Sequence, residues 1–114
     1  ACRRCDGGSF LRADLLTEEP FPAHSFDAIF CSGIFNLETG DNESLLFRYL
    51  KRLKQFAREA VVINLLAISS PDMDGQYHYF DPEAVRAEAL KSYHRVEIDR
   101  GYLKNDFTLI CRLA

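Results

Sequence analysis

Apolar residues in the middle of the chain recur with the period of an α-helix. In the segment that begins at Asp41 or Asn42, they are spaced three or four positions apart: Leu46, Tyr49, Leu50, Leu53, Phe56 and Ala57. Side chains at this spacing share one face of a helix. Acids lie near the start of the segment and bases follow later, as the helix dipole favours. The pattern therefore predicts an amphipathic helix with one buried face.

A second helix is predicted to begin at Asp81. This residue is a suitable N-cap, and Pro82 follows it at the first helical position, where a missing N–H costs nothing. The helix is expected to run to about Tyr93. Its inward-facing residues would be Val85, Ala89, Leu90 and Tyr93.

Two nearly continuous apolar runs flank the first helix. They cover residues 26–31, which end at a small-residue turn formed by Ser32 and Gly33, and residues 60–69. Such runs are typical of parallel strands that are buried on both faces. Strand, helix and strand in this order predict a βαβ unit.

Shorter segments complete the predicted fold. Residues 1–5 are typical of the last turn of a helix, and residues 10–14 of a short strand with Asp14 at its carboxyl end. Near the other end, the alternation at residues 96–98 and the apolar run 107–113 predict an antiparallel hairpin. We therefore expect one α/β domain over residues 1–114, with a mainly parallel sheet, helices and a C-terminal antiparallel β-hairpin.

Composition and charge narrow the possible partners. Fourteen Lys and Arg against seventeen Asp and Glu give a formal net charge of −3, which provides no basic field for a nucleic-acid backbone. The longest apolar stretch, residues 61–68, is far shorter than the roughly 20 residues that span a bilayer. We expect neither a nucleic-acid nor a membrane partner, and a cytoplasmic location.

The cysteines do not form a recognisable metal or disulfide framework. Cys2 and Cys5 have the spacing of half a zinc site, but the sequence contains no second pair or His cluster to complete it. Cys31 and Cys111 each lie within an apolar run. No metal site is predicted.

The order of several motifs resembles the class I S-adenosylmethionine-dependent methyltransferases. Residues 10–16 (FLRADLL) are followed by Pro20-Phe21-Pro22 and then by residues 25–32 (SFDAIFCS). In that family a strand ending in Asp precedes a Leu-Pro-Phe type of loop and a Ser-Phe-Asp strand. Residues 79–83 (YFDPE) and 105–109 (NDFTL) are similar to the end of the fold. The family sheet order is 3-2-1-4-5-7-6, with the last strand antiparallel to the rest.

The resemblance implies roles for particular residues. Asp14 would accept a hydrogen bond from the adenine amino group of S-adenosylmethionine, and the amide of Leu15 would donate to an adenine ring nitrogen. The end of the next strand, formed by Cys31, Ser32 and Gly33, would hold the methionine part of the cofactor. The loops that carry Asn36, Tyr77 and His78 would frame the pocket of a small methyl acceptor. No catalytic residue is assigned.

The sequence departs from the family in two places. The glycine-rich loop after the first family strand and the acidic residue after the second have no counterpart in these 114 residues. We therefore expect an N-terminally truncated domain, which leaves cofactor binding by this chain alone in question. The strand at residues 27–31 would then be an open apolar edge, and such an edge favours a homodimer.

Three interpretations follow from the sequence. The chain is the C-terminal part of a methyltransferase that modifies a small acceptor. Alternatively, it is an inactive remnant that acts as an oligomerising or interaction domain. In the third, it is a different doubly wound domain whose resemblance is accidental.

Overall fold

The computed structural model describes residues 2–5, 8–68, 74–100 and 105–114, and for residues 2–5 and 8–10 it describes the backbone alone. The elements in chain order are β1 (Cys2–Cys5), β2 (Gly8–Leu11), β3 (Phe26–Ser32), α1 (Asn42–Phe56), β4 (Ala57–Leu66), α2 (Pro82–Ala89), β5 (Arg95–Asp99) and β6 (Asp106–Arg112). Two of the predicted elements each include one residue that lies outside the described ranges: Ala1 in the segment 1–5 and Ser69 in the strand 60–69.

The main sheet has four strands in the order β3-β4-β6-β5. β3 pairs with β4 in parallel, whereas β6 pairs antiparallel with both β4 and β5. The expectation of a mainly parallel sheet is therefore wrong. The predicted hairpin of β5 and β6 is present, but its second strand lies between β4 and β5 and so introduces two antiparallel pairs.

Both helices contribute to a core on one side of this sheet. Alternate residues of the two central strands are buried: Val61, Ile63 and Leu65 from β4, and Phe107, Leu109 and Cys111 from β6. Leu46, Leu50 and Leu53 of α1 and Val85 and Ala89 of α2 belong to the same apolar cluster. The apolar residues at helical spacing in the helices and at alternating spacing in the strands pack into this one cluster. The elements that supply them are those that the sequence predicts well.

The bounds of the two helices mostly confirm the sequence prediction. α1 begins at Asn42, and α2 is capped by the Asp81 carboxylate, which accepts a hydrogen bond from the Glu83 amide at 3.1 Å. α2 ends at Ala89 rather than near Tyr93, and Leu90 is 40% exposed instead of facing inward. Tyr93 still reaches the core because the chain turns back after the helix.

β3 is an edge strand and is not buried on both faces. Ile29 and Cys31 pack against the core, but Phe30 is 67% exposed and Phe26 is 37% exposed. A parallel strand is buried on both faces only when helices cover both faces of its sheet. In the described part of the chain, β4 is the one sheet neighbour of β3. The face of β3 that carries Phe30 is exposed, so the apolar run does not imply burial on both faces.

The N-terminal segment differs most from the prediction. Residues 2–5 form strand β1, not the end of a helix, and pair antiparallel with β2 in a separate two-stranded sheet. A helical segment this short gains too few hydrogen bonds to offset the cost of nucleation, whereas a neighbouring strand satisfies its backbone groups. β2 ends at Leu11, so Asp14 lies in the following turn and not at the tip of a strand of the main sheet.

Among the described residues, no helix is both long enough and apolar enough to cross a membrane.

Candidate functional site

A cleft with a volume of about 410 Å³ lies at the carboxyl ends of β3 and β4. Its lining combines polar side chains and aromatic rings: Asn36, Leu66, Asp74, Tyr77, Tyr79 and Asn105. Ligands of α/β sheets bind at the carboxyl ends of strands, where loops supply polar groups. The position and the lining make this cleft the candidate site.

Gly33 forms the turn that carries the chain from β3 toward the cleft. Its φ of +80° is a conformation that glycine adopts without strain. The Gly33 carbonyl accepts a hydrogen bond from the Asn36 amide at 3.4 Å. Ser32, the last residue of β3, is exposed directly before this turn. The small residues therefore leave the backbone at the end of β3 open to a ligand.

The loop after β3 and the loop before α2 are joined by backbone hydrogen bonds. Leu37 and Tyr77 form an antiparallel bridge. On either side of it, the His78 amide donates to the Asn36 carbonyl at 2.7 Å, and the Glu38 amide donates to the Gln76 carbonyl at 2.9 Å. These bonds bring together two of the predicted acceptor-site residues, Asn36 and Tyr77, at the same cleft.

Asn42, at the start of α1, fixes the loop that contains Asn36. Its Nδ2 donates to the carbonyls of Phe35 at 3.1 Å and Leu37 at 2.8 Å. Its Oδ1 accepts from the amide of Thr39 at 2.9 Å and from the hydroxyl of Thr39 at 3.0 Å. The side chain is almost completely buried, so these four bonds satisfy all of its hydrogen-bonding groups. From the sequence, Asn42 is recognisable only as a possible helix start.

His78 is not among the residues that line the cleft. Its Nδ1 lies 2.5 Å from Glu38 Oε2, and its Nε2 lies 2.5 Å from Glu43 Oε2. Burial disfavours the imidazolium, but hydrogen bonds and charge from the two carboxylates outweigh burial, and the pKa of His78 is raised. The ring also packs edge-on against Phe80 at 4.6 Å between centroids. His78 thus connects both loops to α1 through its side chain.

Asp74 and Tyr79 form a small hydrogen-bonded unit at the cleft. The Asp74 amide donates to Tyr79 Oη at 2.8 Å, and Asp74 Oδ1 accepts from the Gln76 amide at 2.9 Å. Asp74, Tyr79 and Asn105 are not among the site residues predicted from the sequence. Their only signal was that they belong to turn-forming segments, which also occur far from any site.

Asn36 contains an unusual buried group. Its Oδ1 is buried and accepts no hydrogen bond from the residues that the structure describes. Most buried polar atoms in proteins have a partner, and one without a partner at a cleft is a candidate ligand-binding atom. This acceptor adds a feature that the sequence could not reveal.

The predicted adenine-binding residues lie outside the cleft lining. Asp14 is exposed, and its Oδ1 accepts from the Leu16 amide at 3.0 Å. Leu15 is partly buried, and its carbonyl accepts from Arg52 Nε at 2.6 Å. Leu15 also lines a second, apolar cavity of about 220 Å³ beside β3 and the end of α1.

Tyr49 of α1 lies near two of the predicted cofactor residues. Its pKa is raised by burial first, then by the negative charge of Asp14, and after that by the interaction with Cys31. Cys31 is half-buried, and burial raises the pKa of its thiol. A thiol that resists ionisation is a poor nucleophile, so Cys31 is suited to packing rather than to covalent chemistry.

Within the described ranges, no group of three or more His, Cys, Asp or Glu side chains is arranged to hold a metal ion. The side chains of Cys2 and Cys5 lie outside the described part of the structure. In comparisons with known proteins, no family model and no curated sequence matches the chain.

Proposed function

We propose that this chain is the C-terminal part of a class I S-adenosylmethionine-dependent methyltransferase that modifies a small acceptor. The observation that carries the proposal is the strand order β3-β4-β6-β5, with the last strand antiparallel between its neighbours. This is the order 4-5-7-6 that the family resemblance gives for the last four strands. The cytoplasmic location is part of the same proposal.

The residues around Asp14 suit one edge of adenine. Asp14 Oδ1 is already an acceptor, but in the described part of the chain Oδ2 has no hydrogen-bonding partner. The Leu15 amide likewise donates to no described atom. The hydrogen bond between Leu15 and Arg52 involves the Leu15 carbonyl instead. An acceptor beside a donor complements the amino group and ring nitrogen of adenine.

The end of β3 suits the other part of the cofactor. Ser32 is exposed, and among the described residues Gly33 has just Asn36 Nδ2, at 3.8 Å, near the position of an added Cβ. The cofactor would supply an electrophilic methyl group on a sulfonium sulfur. This chain would then act by holding the acceptor in line with that methyl group in the cleft.

The test is an NMR titration of the ¹⁵N-labelled chain with S-adenosylhomocysteine. We expect amide shifts at Leu15, Ser32 and Gly33. Asp14→Asn should weaken binding about tenfold, because it replaces a charged acceptor of a hydrogen bond with a neutral one. The matched control, Asp27→Asn, removes an exposed carboxylate near the start of β3, at the end of the strand away from Ser32 and Gly33. An absence of shifts at millimolar ligand, or shifts confined to other surfaces, would overturn the proposal.

A second candidate function is an interaction domain that forms a homodimer through β3. The specific observation in its favour is the exposure of Phe30 and Phe26 on an edge strand, since such an edge offers unpaired backbone groups and apolar side chains together. Light scattering coupled to size-exclusion chromatography tests this candidate. A folded monomer across the accessible concentration range would contradict it.

A further inference from the structure

The cleft at the ends of β3 and β4 has the chemistry of a site for cations. The described residues that line it carry one carboxylate, two phenol rings and two amide side chains, but no Lys or Arg. A second carboxylate, Asp106, directly follows Asn105 of the lining and accepts from Asn64 Nδ2 at 3.1 Å. Aromatic faces and carboxylates both attract ammonium groups.

The Asp74 carboxylate retains an available oxygen. Its Oδ1 accepts from the Gln76 amide, whereas Oδ2 has no hydrogen-bonding partner in the described part of the chain. No described Lys, Arg or His forms an ion pair with it. Asp74 is also exposed, so a ligand can reach the free oxygen.

Asn36 and Tyr77 supply complementary contacts. Asn36 Oδ1, which has no partner among the described residues, requires a donor, and N–H groups of a ligand are donors. Tyr77 is 42% exposed at the cleft, so part of its ring is accessible to a cation. An anion or a pure hydrogen-bond acceptor would meet the Asp74 charge and would leave Asn36 Oδ1 without a partner.

We propose that this cleft binds a small organic amine in its ammonium form, with N–H groups directed to Asp74 Oδ2 and Asn36 Oδ1. That the amine is the methyl acceptor rests on the function proposed above, whereas its binding does not. As acceptor, the nitrogen first releases a proton to solvent. Its lone pair then forms the bond to the methyl carbon, and the bond from that carbon to sulfur breaks with its electron pair remaining on sulfur.

The test compares benzylamine with its neutral isostere, benzyl alcohol, in NMR titrations of the ¹⁵N-labelled chain at neutral pH. We expect benzylamine to shift the amides of Asn36 and Tyr77 and to bind about fivefold or more tightly than the alcohol. Asp74→Asn should abolish this preference. It keeps the Oδ1 acceptor for the Gln76 amide, so the turn is preserved. Glu59→Gln, the control, removes an exposed carboxylate from the opposite end of β4 and should leave the preference unchanged.

The outcomes separate the two proposals. Equal binding of amine and alcohol, tighter binding of benzoate, or no binding at the cleft would each overturn the amine site. If S-adenosylhomocysteine binds and benzylamine does not, the acceptor class is wrong and the methyltransferase proposal stands. If benzylamine binds and S-adenosylhomocysteine does not, the amine site stands without a role in methyl transfer.

Discussion

Replacing Asn42 with alanine should release the loop after β3 from helix α1. The Asn42 side chain is only 2% exposed and makes four hydrogen bonds to that loop. Alanine removes all four bonds and leaves the backbone groups of Phe35, Leu37 and Thr39 without their partner. The loop that carries Asn36 would then be held to α1 mainly through the side chain of His78.

The size of the effect depends on which freed groups water can reach. Phe35 is 2% exposed, and a buried carbonyl without a donor costs about 1–3 kcal/mol. Leu37 is 62% exposed, so its carbonyl can be hydrated, and the loss there is about 1 kcal/mol. A similar loss applies to Thr39. Because neighbouring contributions are not additive, we expect Asn42→Ala to lower the free energy of unfolding by about 3 kcal/mol.

Urea denaturation followed by circular dichroism measures this change. With an m-value of about 1.5 kcal/mol/M, the midpoint should fall by about 2 M. Thr39→Val is the matched control, because it removes a hydroxyl but keeps the backbone amide bonded to Asn42, and it should cost less than about 1 kcal/mol. A loss below about 1 kcal/mol for Asn42→Ala would refute the reasoning, since the buried Phe35 carbonyl alone accounts for more.

Two further predictions concern the side-chain contacts of His78 and Tyr93. The raised pKa of His78 means that its ion pairs with Glu38 and Glu43 stabilise the fold fully below the unfolded pKa of about 6.5, and that this stability is lost as pH rises through the folded pKa. Urea midpoints measured from pH 6 to pH 9 should therefore fall more for the wild type than for His78→Gln, and parallel curves would contradict this. Tyr93 Oη donates to the Leu50 carbonyl at 2.6 Å in the core, so Tyr93→Phe should cost about 1 kcal/mol in the same denaturation assay. An unchanged midpoint would show that this bond contributes no net stability.

The sequence predicts elements best where one buried face repeats. α1 and the hairpin of β5 and β6 agree with the prediction because their apolar residues pack against a single core. β3 differs from these elements. An apolar run indicates a strand, but the exposure of Phe30 depends on whether another layer covers it, and no local pattern encodes that.

The candidate site was predictable only in part. Asn36 and Tyr77 were expected at the acceptor pocket, and they do line one cleft. His78 was expected there too, but two acids distant in sequence, Glu38 and Glu43, hold its ring outside the lining. Asp74 could not be identified because its position in the cleft lining depends on the pairing of two loops that are distant in sequence. Side-chain chemistry alone does not specify such pairing.

The central position of β6 has a consequence for the order of folding. β4 and β5 precede β6 in the chain, yet within the described residues β5 has no sheet neighbour except β6. The pairing of β4 with β6 joins distant positions, such as Ala60 with Arg112, and contacts of this kind form late because a long loop must close first. On a ribosome, the backbone edge of β4 that pairs with β6 would therefore remain unpaired until β6 emerges. Of the strands that the structure describes, the one synthesised last is thus the one that completes the sheet.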